Sequence, residues 1–192
     1  MTEVIGRRER KKAQTRQALA DAALKLFLER GYDEVGVKEV ADAADVSVTT
    51  LFKYFPSKEA LLFDQDDDIE AALVAAVHDR PPGSPIVEAL HAHILRDVSD
   101  GGPDEEFLRL IESTPALREY GRRMWMRHET ALARAIAQES GAPPGDVRAA
   151  ALARFALASR DLITAHEDPR AAAEEIFGCL ARGWPTEEPG KR

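Results

Sequence analysis

Apolar residues recur along this chain at helical spacing. From about Ala13 to Arg30 the positions Leu19, Ala22, Ala23, Leu26 and Phe27 form one stripe, and Gly31 stands where a helix would stop. Val37–Ala44 repeats the pattern in miniature, with Val40, Ala41 and Ala44 on one side. Asp45–Val46–Ser47 has the composition of a tight turn. Val48–Tyr54 then predicts a third short helix, closed by Phe55–Pro56. Ser57 is placed to cap a longer helix from Lys58 to about Val77. Pro81–Pro82–Gly83 interrupts the chain. Beyond it, helices are expected over Pro85–Val98, Asp104–Ile111, Pro115–Glu139, Asp146–Ala165 and Pro169–Arg182, with Thr114 and Asp168 as caps ahead of proline. The tail from Pro185 is expected to fray. No strand series and no internal repeat breaks this pattern, so the expected fold is all-α, with about nine helices.

Composition supports the same class. The chain has 192 residues and 44% hydrophobic content, enough for one large domain or two small ones. A single cysteine, Cys179, excludes a disulfide framework and favours a reducing, cytoplasmic setting. No apolar run is long enough to span a bilayer, and MTEVIGRRERKKAQTR lacks the apolar segment of a secretory signal.

Net charge −8 argues against nucleic acid until it is divided along the chain. Residues 1–60 carry 11 Lys/Arg against 10 Asp/Glu, and the remainder carries 15 against 24. Acidity therefore belongs to the C-terminal part. Six basic residues, Arg7, Arg8, Arg10, Lys11, Lys12 and Arg16, precede or open the first helix. They are either a solvated start or an arm along phosphates.

The stretch from Val46 to Lys58 contains three hydroxyls before its proline, two lysines and a tyrosine, and no acid. On a helical wheel Val48, Leu51, Phe52 and Phe55 share one face, expected to pack inward. Thr49, Thr50, Lys53 and Tyr54 share the other. Hydroxyls, a cation and a phenol can reach phosphate oxygens and base edges. Ser47 caps this helix. Lys58 falls in the first turn of the next, where a cation is disfavoured unless an anion such as a phosphate binds. Two short helices joined by a three-residue turn, the second with a polar outer face, describe a helix-turn-helix or a plain helical hairpin.

VKEVADAADVSVTTLFKYFPSKEALL resembles the DNA-binding signature of the TetR family of bacterial regulators, and LFLERGYDEV before it fits as well. The resemblance covers about residues 10–63. It implies an N-terminal DNA-binding domain over residues 1–57 and a C-terminal effector-binding and dimerisation domain over residues 58–192. It implies DNA contacts by Lys38, Ser47, Val48, Thr49, Thr50, Lys53, Tyr54 and Lys58; Arg8, Lys11 and Lys12 join them where the basic start is an arm along the phosphates. Three positions depart from the family pattern. Asp45 replaces a turn glycine, Phe52 replaces a tyrosine, and Gly36–Val37 replaces a threonine cap. The family's partners would be a pseudo-palindromic double-stranded operator, a second copy of the chain and a small-molecule effector.

Elsewhere the chemistry is sparse. Asp64, Asp66, Asp67, Asp68 and Glu70 point in different directions along a helix and do not converge on a metal. His91 and His93 are two apart on a helix and make a poor zinc pair. No metal, cofactor or catalytic set is expected. The long helix from Pro115 carries Met124, Trp125, His128 and Leu132 on or near one apolar face. These residues, with Leu73, Val77, Ile94, Phe107 and Ile111, are either core or the walls of an effector cavity. The resemblance implies a two-fold dimer through the last two helices, with Leu152, Phe155, Ser159, Leu162, Phe177 and Leu180 at the interface. Phrases such as TPALREYGRRMWMRHETALARAIA are weakly similar to TetR-type regulators with acyl-CoA-like ligands. The expected function is a ligand-responsive repressor. The alternatives are a helical ligand-binding module or enzyme with a vestigial head, and a protein-interaction scaffold.

Overall fold

A computed structural model describes residues 6–99 and 104–182. The expected frayed tail from Pro185 lies outside them. Among the described residues the elements are α1 (Arg7–Arg30), α2 (Val37–Ala43), α3 (Val48–Tyr54), a 3-10 turn (Glu59–Leu62), α4 (Asp66–His78), α5 (Ile86–Ser99), α6 (Glu105–Ser113), α7 (Pro115–Glu139), α8 (Val147–Thr164) and α9 (Pro169–Arg182). The all-α expectation holds.

The chain divides into two compact units. The first comprises Met1–Asp67 with Pro103–Met124, and the second Asp68–Gly102 with Trp125–Arg192. In the first, α1 packs on α2, α6 and the 3-10 turn, and α2 packs on α3. Its core contains Leu19, Ala23, Phe27, Val35, Val40, Leu51, Phe55, Leu61 and Leu117. In the second, α5, α8 and α9 pack together around Val77, Leu90, Ile94, Leu132, Ala153, Ile163 and Phe177.

Two boundaries differ from the sequence reading. Helix α1 begins at Arg7 rather than near Ala13, so residues 7–12 are helical and not an extended arm. Its start is held by Glu9, whose carboxylate accepts from the Gly6 amide at 3.2 Å. The helix expected from Lys58 to Val77 is broken. Ser57 does cap, accepting from the Ala60 amide at 3.3 Å, but only for one 3-10 turn. Ala60, Leu61 and Leu62 are all buried, and three consecutive residues cannot share one face of a regular α-helix. All three belong to the core of the first unit, so this turn is enclosed on more than one side. Helix α4 restarts at Asp66, where Asp66, Asp67 and Asp68 place negative charge on the positive end of the helix dipole.

Two other local predictions hold. Gly31 ends α1 at φ 89°, its amide bonded to the Phe27 carbonyl at 2.9 Å. Asp168 caps α9, accepting from the Ala171 amide at 3.0 Å. The missing threonine cap of α2 is partly replaced. Glu39 accepts from the Gly36 amide at 2.9 Å and from Arg30 at 2.6 Å. The amide bond, and then the guanidinium, hold its carboxyl below the usual range.

Candidate functional site

Helices α2 and α3 meet through Asp45, the non-glycine residue with positive φ, at 55° among the described residues. Asp tolerates the left-handed conformation better than most residues, so the turn forms without its usual glycine. Ser47 caps α3. Its Oγ accepts from the Thr50 amide at 3.1 Å and lies 2.9 Å from the Thr50 hydroxyl.

The faces of α3 are rotated from expectation. Leu51 and Phe55 are buried and Val48 is half-buried, but Phe52 is 48% exposed. The buried arc is centred on Leu51 and Phe55. Phe52 lies about 100° round the helix from Leu51, on the side of Thr49 and Lys53. These three form the outward row, while Thr50 and Tyr54 are half-buried on the opposite shoulder. The helical wheel alone assigned Phe52 to the inner face.

The cations expected to hold phosphates are placed unequally. Arg8, Lys11, Lys12 and Lys53 are exposed. Lys38 is exposed and paired with Asp42 at 2.7 Å, which raises its pKa. Lys58 turns inward. Its ammonium donates to the Tyr32 carbonyl at 2.5 Å and sits 4.0 Å from the centroid of the Tyr32 ring and 5.4 Å from that of Phe27. Burial lowers its pKa. The Tyr32 hydroxyl donates to Glu59 at 2.9 Å, and burial pushes that phenol up.

In the second unit, Val77, Ile94 and Leu132 share one core, and Leu73 and His128 are buried. Phe107 and Ile111 pack instead on the core of the first unit, to which Met124 also belongs. Trp125 lies edge-on to His128 with centroids 5.1 Å apart, and Arg160 covers the Trp125 ring while pairing with Asp97 at 2.8 Å. A cleft of about 620 Å³ runs between α4 and α5. Ala72, Ala75, Ala76, Ala89 and Ala92 line it together with Asp79, Arg80, Pro81, His93, Arg96 and Asp97, and it uses none of the nine residues expected to wall a cavity. Sequence reading passed over it because alanines facing each other across two helices look like close packing. Among the described residues no group of His, Cys, Asp or Glu could hold a metal ion, and no helix is long and apolar enough to cross a membrane.

The residues expected at a dimer interface divide sharply. Ser159 and Phe177 are already buried within the chain, and Leu152 and Leu180 are half-buried. Phe155 is 57% and Leu162 67% exposed, and Val147 continues their row at 77%.

Residues 19–64 match the family described as "Bacterial regulatory proteins, tetR family", and residues 80–182, more than half of the chain, match the one described as "MftR C-terminal domain". The chain belongs to the TetR family. The regulator TcmR of Streptomyces glaucescens is 37% identical over 147 residues, which cover 71% of this chain and 65% of TcmR. The chain thus aligns with about two thirds of that relative's length. Among solved structures, the Thermus thermophilus TetR-family repressor FadR, in complex with lauroyl-CoA, superposes with a TM-score of 0.56 at 24% identity, covering 92% of this chain and 99% of that one. NalD, a secondary repressor of a multidrug efflux pump in Pseudomonas aeruginosa, gives 0.58 at 21% identity, covering 90% and 96%. At such identities the likeness speaks for the fold.

Proposed function

We propose that this TetR-family chain is a homodimeric repressor that reads a pseudo-palindromic operator and leaves it when a small molecule binds the C-terminal part. The carrying observation is the outward row Thr49, Phe52 and Lys53 on a helix seated by Leu51 and Phe55 and capped by Ser47. A hydroxyl and a cation on such a row address base edges and phosphates, and the Phe52 ring adds apolar surface of the kind that meets thymine methyls. The exposed cations on the first turns of α1 would add affinity without sequence preference. They stand where the helix dipole disfavours them, which is consistent with an anionic partner.

The second copy would seat on the exposed row of α8, and the two-fold axis would give each half-site one α3. The effector is a small molecule. The acyl-CoA bound to the FadR neighbour supports a hydrophobic, acyl-CoA-like class. The effector acts only through its different affinity for the DNA-competent and released states. No catalytic step belongs to this reading.

Selection of bound fragments from a random DNA pool at near-physiological salt tests it. Enrichment of a palindrome by the parent, lost in Lys53→Ala, is the expected result. Enrichment of unrelated fragments by both proteins would overturn the operator reading.

A further inference from the structure

Arg16 is set apart from the five other basic residues at the start of the chain. Arg7, Arg8, Arg10, Lys11 and Lys12 are exposed, whereas Arg16 is half-buried and committed to three partners. Its Nη1 donates to the Tyr54 carbonyl at 3.3 Å, its Nη2 donates to the Asp64 carbonyl at 2.6 Å, and its Cζ lies 4.7 Å from the centroid of the Phe55 ring.

Each partner has a meaning in the chain. Tyr54 is the last residue of α3, so its carbonyl has no amide one turn ahead to satisfy it. A cation there also suits the negative end of the helix. Asp64 lies two residues before α4. Phe55 is the buried residue that seats α3. A guanidinium is the side chain that can do all three, because its planar fork donates in two directions while its face lies on a ring. An ammonium could reach one carbonyl and would lose the stacking.

We propose that Arg16 is a positioning residue that fastens the exit of α3 to the entry of α4 and thereby sets operator discrimination without touching DNA. The claim rests on the DNA-reading function proposed above. It gives α1 a role beyond carrying charge. This side chain carries a shift of the segment entering α4 to the end of α3, and with it the pitch of the outward row Thr49, Phe52 and Lys53.

The test compares the full-length parent with Arg16→Gln, Arg16→Lys and Lys12→Gln on a selected operator and on the same bases scrambled, over a series of salt concentrations. Arg16→Gln should lower the ratio of operator to scrambled affinity about tenfold, the loss expected for a charged hydrogen bond, with no change in the slope of log affinity against log salt. Arg16→Lys should fall between Arg16→Gln and the parent. Lys12→Gln should weaken both DNAs alike and reduce the slope by about one. Hydrogen exchange on the free proteins supplies a second reading. In Arg16→Gln the amides of residues 51–55 and 63–67 should exchange faster together, while those of residues 37–43 keep parental rates.

Three results would overturn the proposal. If Arg16→Gln behaved like Lys12→Gln, Arg16 would be a phosphate contact. An unchanged affinity ratio would make it an idle bridge. Faster exchange throughout the first unit would make it a general stability residue. Should the parent itself show no operator preference, the DNA-reading function fails before any variant is considered, and the exchange pattern still decides whether Arg16 couples the two segments.

Discussion

Helices α3 and α8 distribute their side chains in opposite ways. Helix α3 hides Leu51, with Phe55 buried just past its end, and turns Thr49 and Lys53 outward, with Phe52 as the exception. Helix α8 hides small ones, Ala149, Ala153, Ala156 and Ser159, with Ile163 at its end, and turns Val147, Phe155 and Leu162 outward. Isolated exposed apolar residues are ordinary on protein surfaces. The α8 residues are not isolated, because spacings of eight and seven place all three on one face of the helix. The inner face of α3 is complete within one chain. The outer face of α8 is left open within one chain.

That contrast fails if the Phe55 ring does not seat α3. Phe55→Ala should destabilise the first unit by about 3–5 kcal/mol, the cost of removing a fully buried ring, and urea denaturation followed by circular dichroism reads it. A loss near zero would mean that α3 is not seated on this ring.

Next in size is the outer face of α8. Phe155→Glu combined with Leu162→Glu should weaken self-association about 100-fold or more while leaving the helix content of the monomer unchanged, because both side chains are exposed within the chain. Sedimentation velocity over a dilution series measures this. Ser159→Ala is the paired control: its hydroxyl is buried and bonded to the Ala156 carbonyl at 2.8 Å, so its effect belongs to folding and not to association. A dimer that survives both glutamates would move the interface off this face.

The two lysines flanking Phe55 sharpen the picture of α3. Lys53 is exposed at the end of the helix, whereas Lys58 is folded over Tyr32 and Phe27. Lys53→Ala should leave stability within about 0.5 kcal/mol and reduce the salt slope of DNA binding by about one. Lys58→Ala should cost about 1–2 kcal/mol of stability through its lost carbonyl bond and ring contacts. If Lys58→Ala kept full stability and lowered only the salt slope, its ammonium would serve phosphate and not the Tyr32 carbonyl.

Most of the helices were legible because their evidence is local. Apolar spacing and polar caps placed α2, α3, α5, α7 and α9 within a residue or two. What was illegible depended on the third dimension. Nothing in SKEALLFDQDDD says that Ala60, Leu61 and Leu62 all go inward, although the three aspartates that restart α4 were a usable sign. Phe52 was misplaced because a wheel gives angles but not the direction of the core. Arg16 looked like one more cation, since its partners Tyr54 and Asp64 lie 38 and 48 residues away. The division of the expected cavity walls, with Phe107 and Ile111 in the first core and Val77, Ile94 and Leu132 in the second, was equally invisible to periodicity.

The smallest expected effect concerns His93, at the α4–α5 cleft beside Asp97 and Arg96 and near Arg160. Burial lowers its pKa below the usual 6.5; the Asp97 carboxylate opposes this, and the two guanidiniums reinforce it. The folded protein therefore holds this imidazole neutral where the unfolded chain would protonate it. The unfolded state binds more protons, so stability rises with pH across that interval. The contribution is fully present above 6.5, declines as pH falls below it, and stops changing once the folded form protonates as well. His93→Gln removes the proton site, so its unfolding free energy measured by urea at several pH values should run parallel to the parent's above pH 6.5 and fall less steeply below it. Curves that stay parallel to pH 5 would mean that the cleft leaves His93 open to water and that burial does not set its protonation.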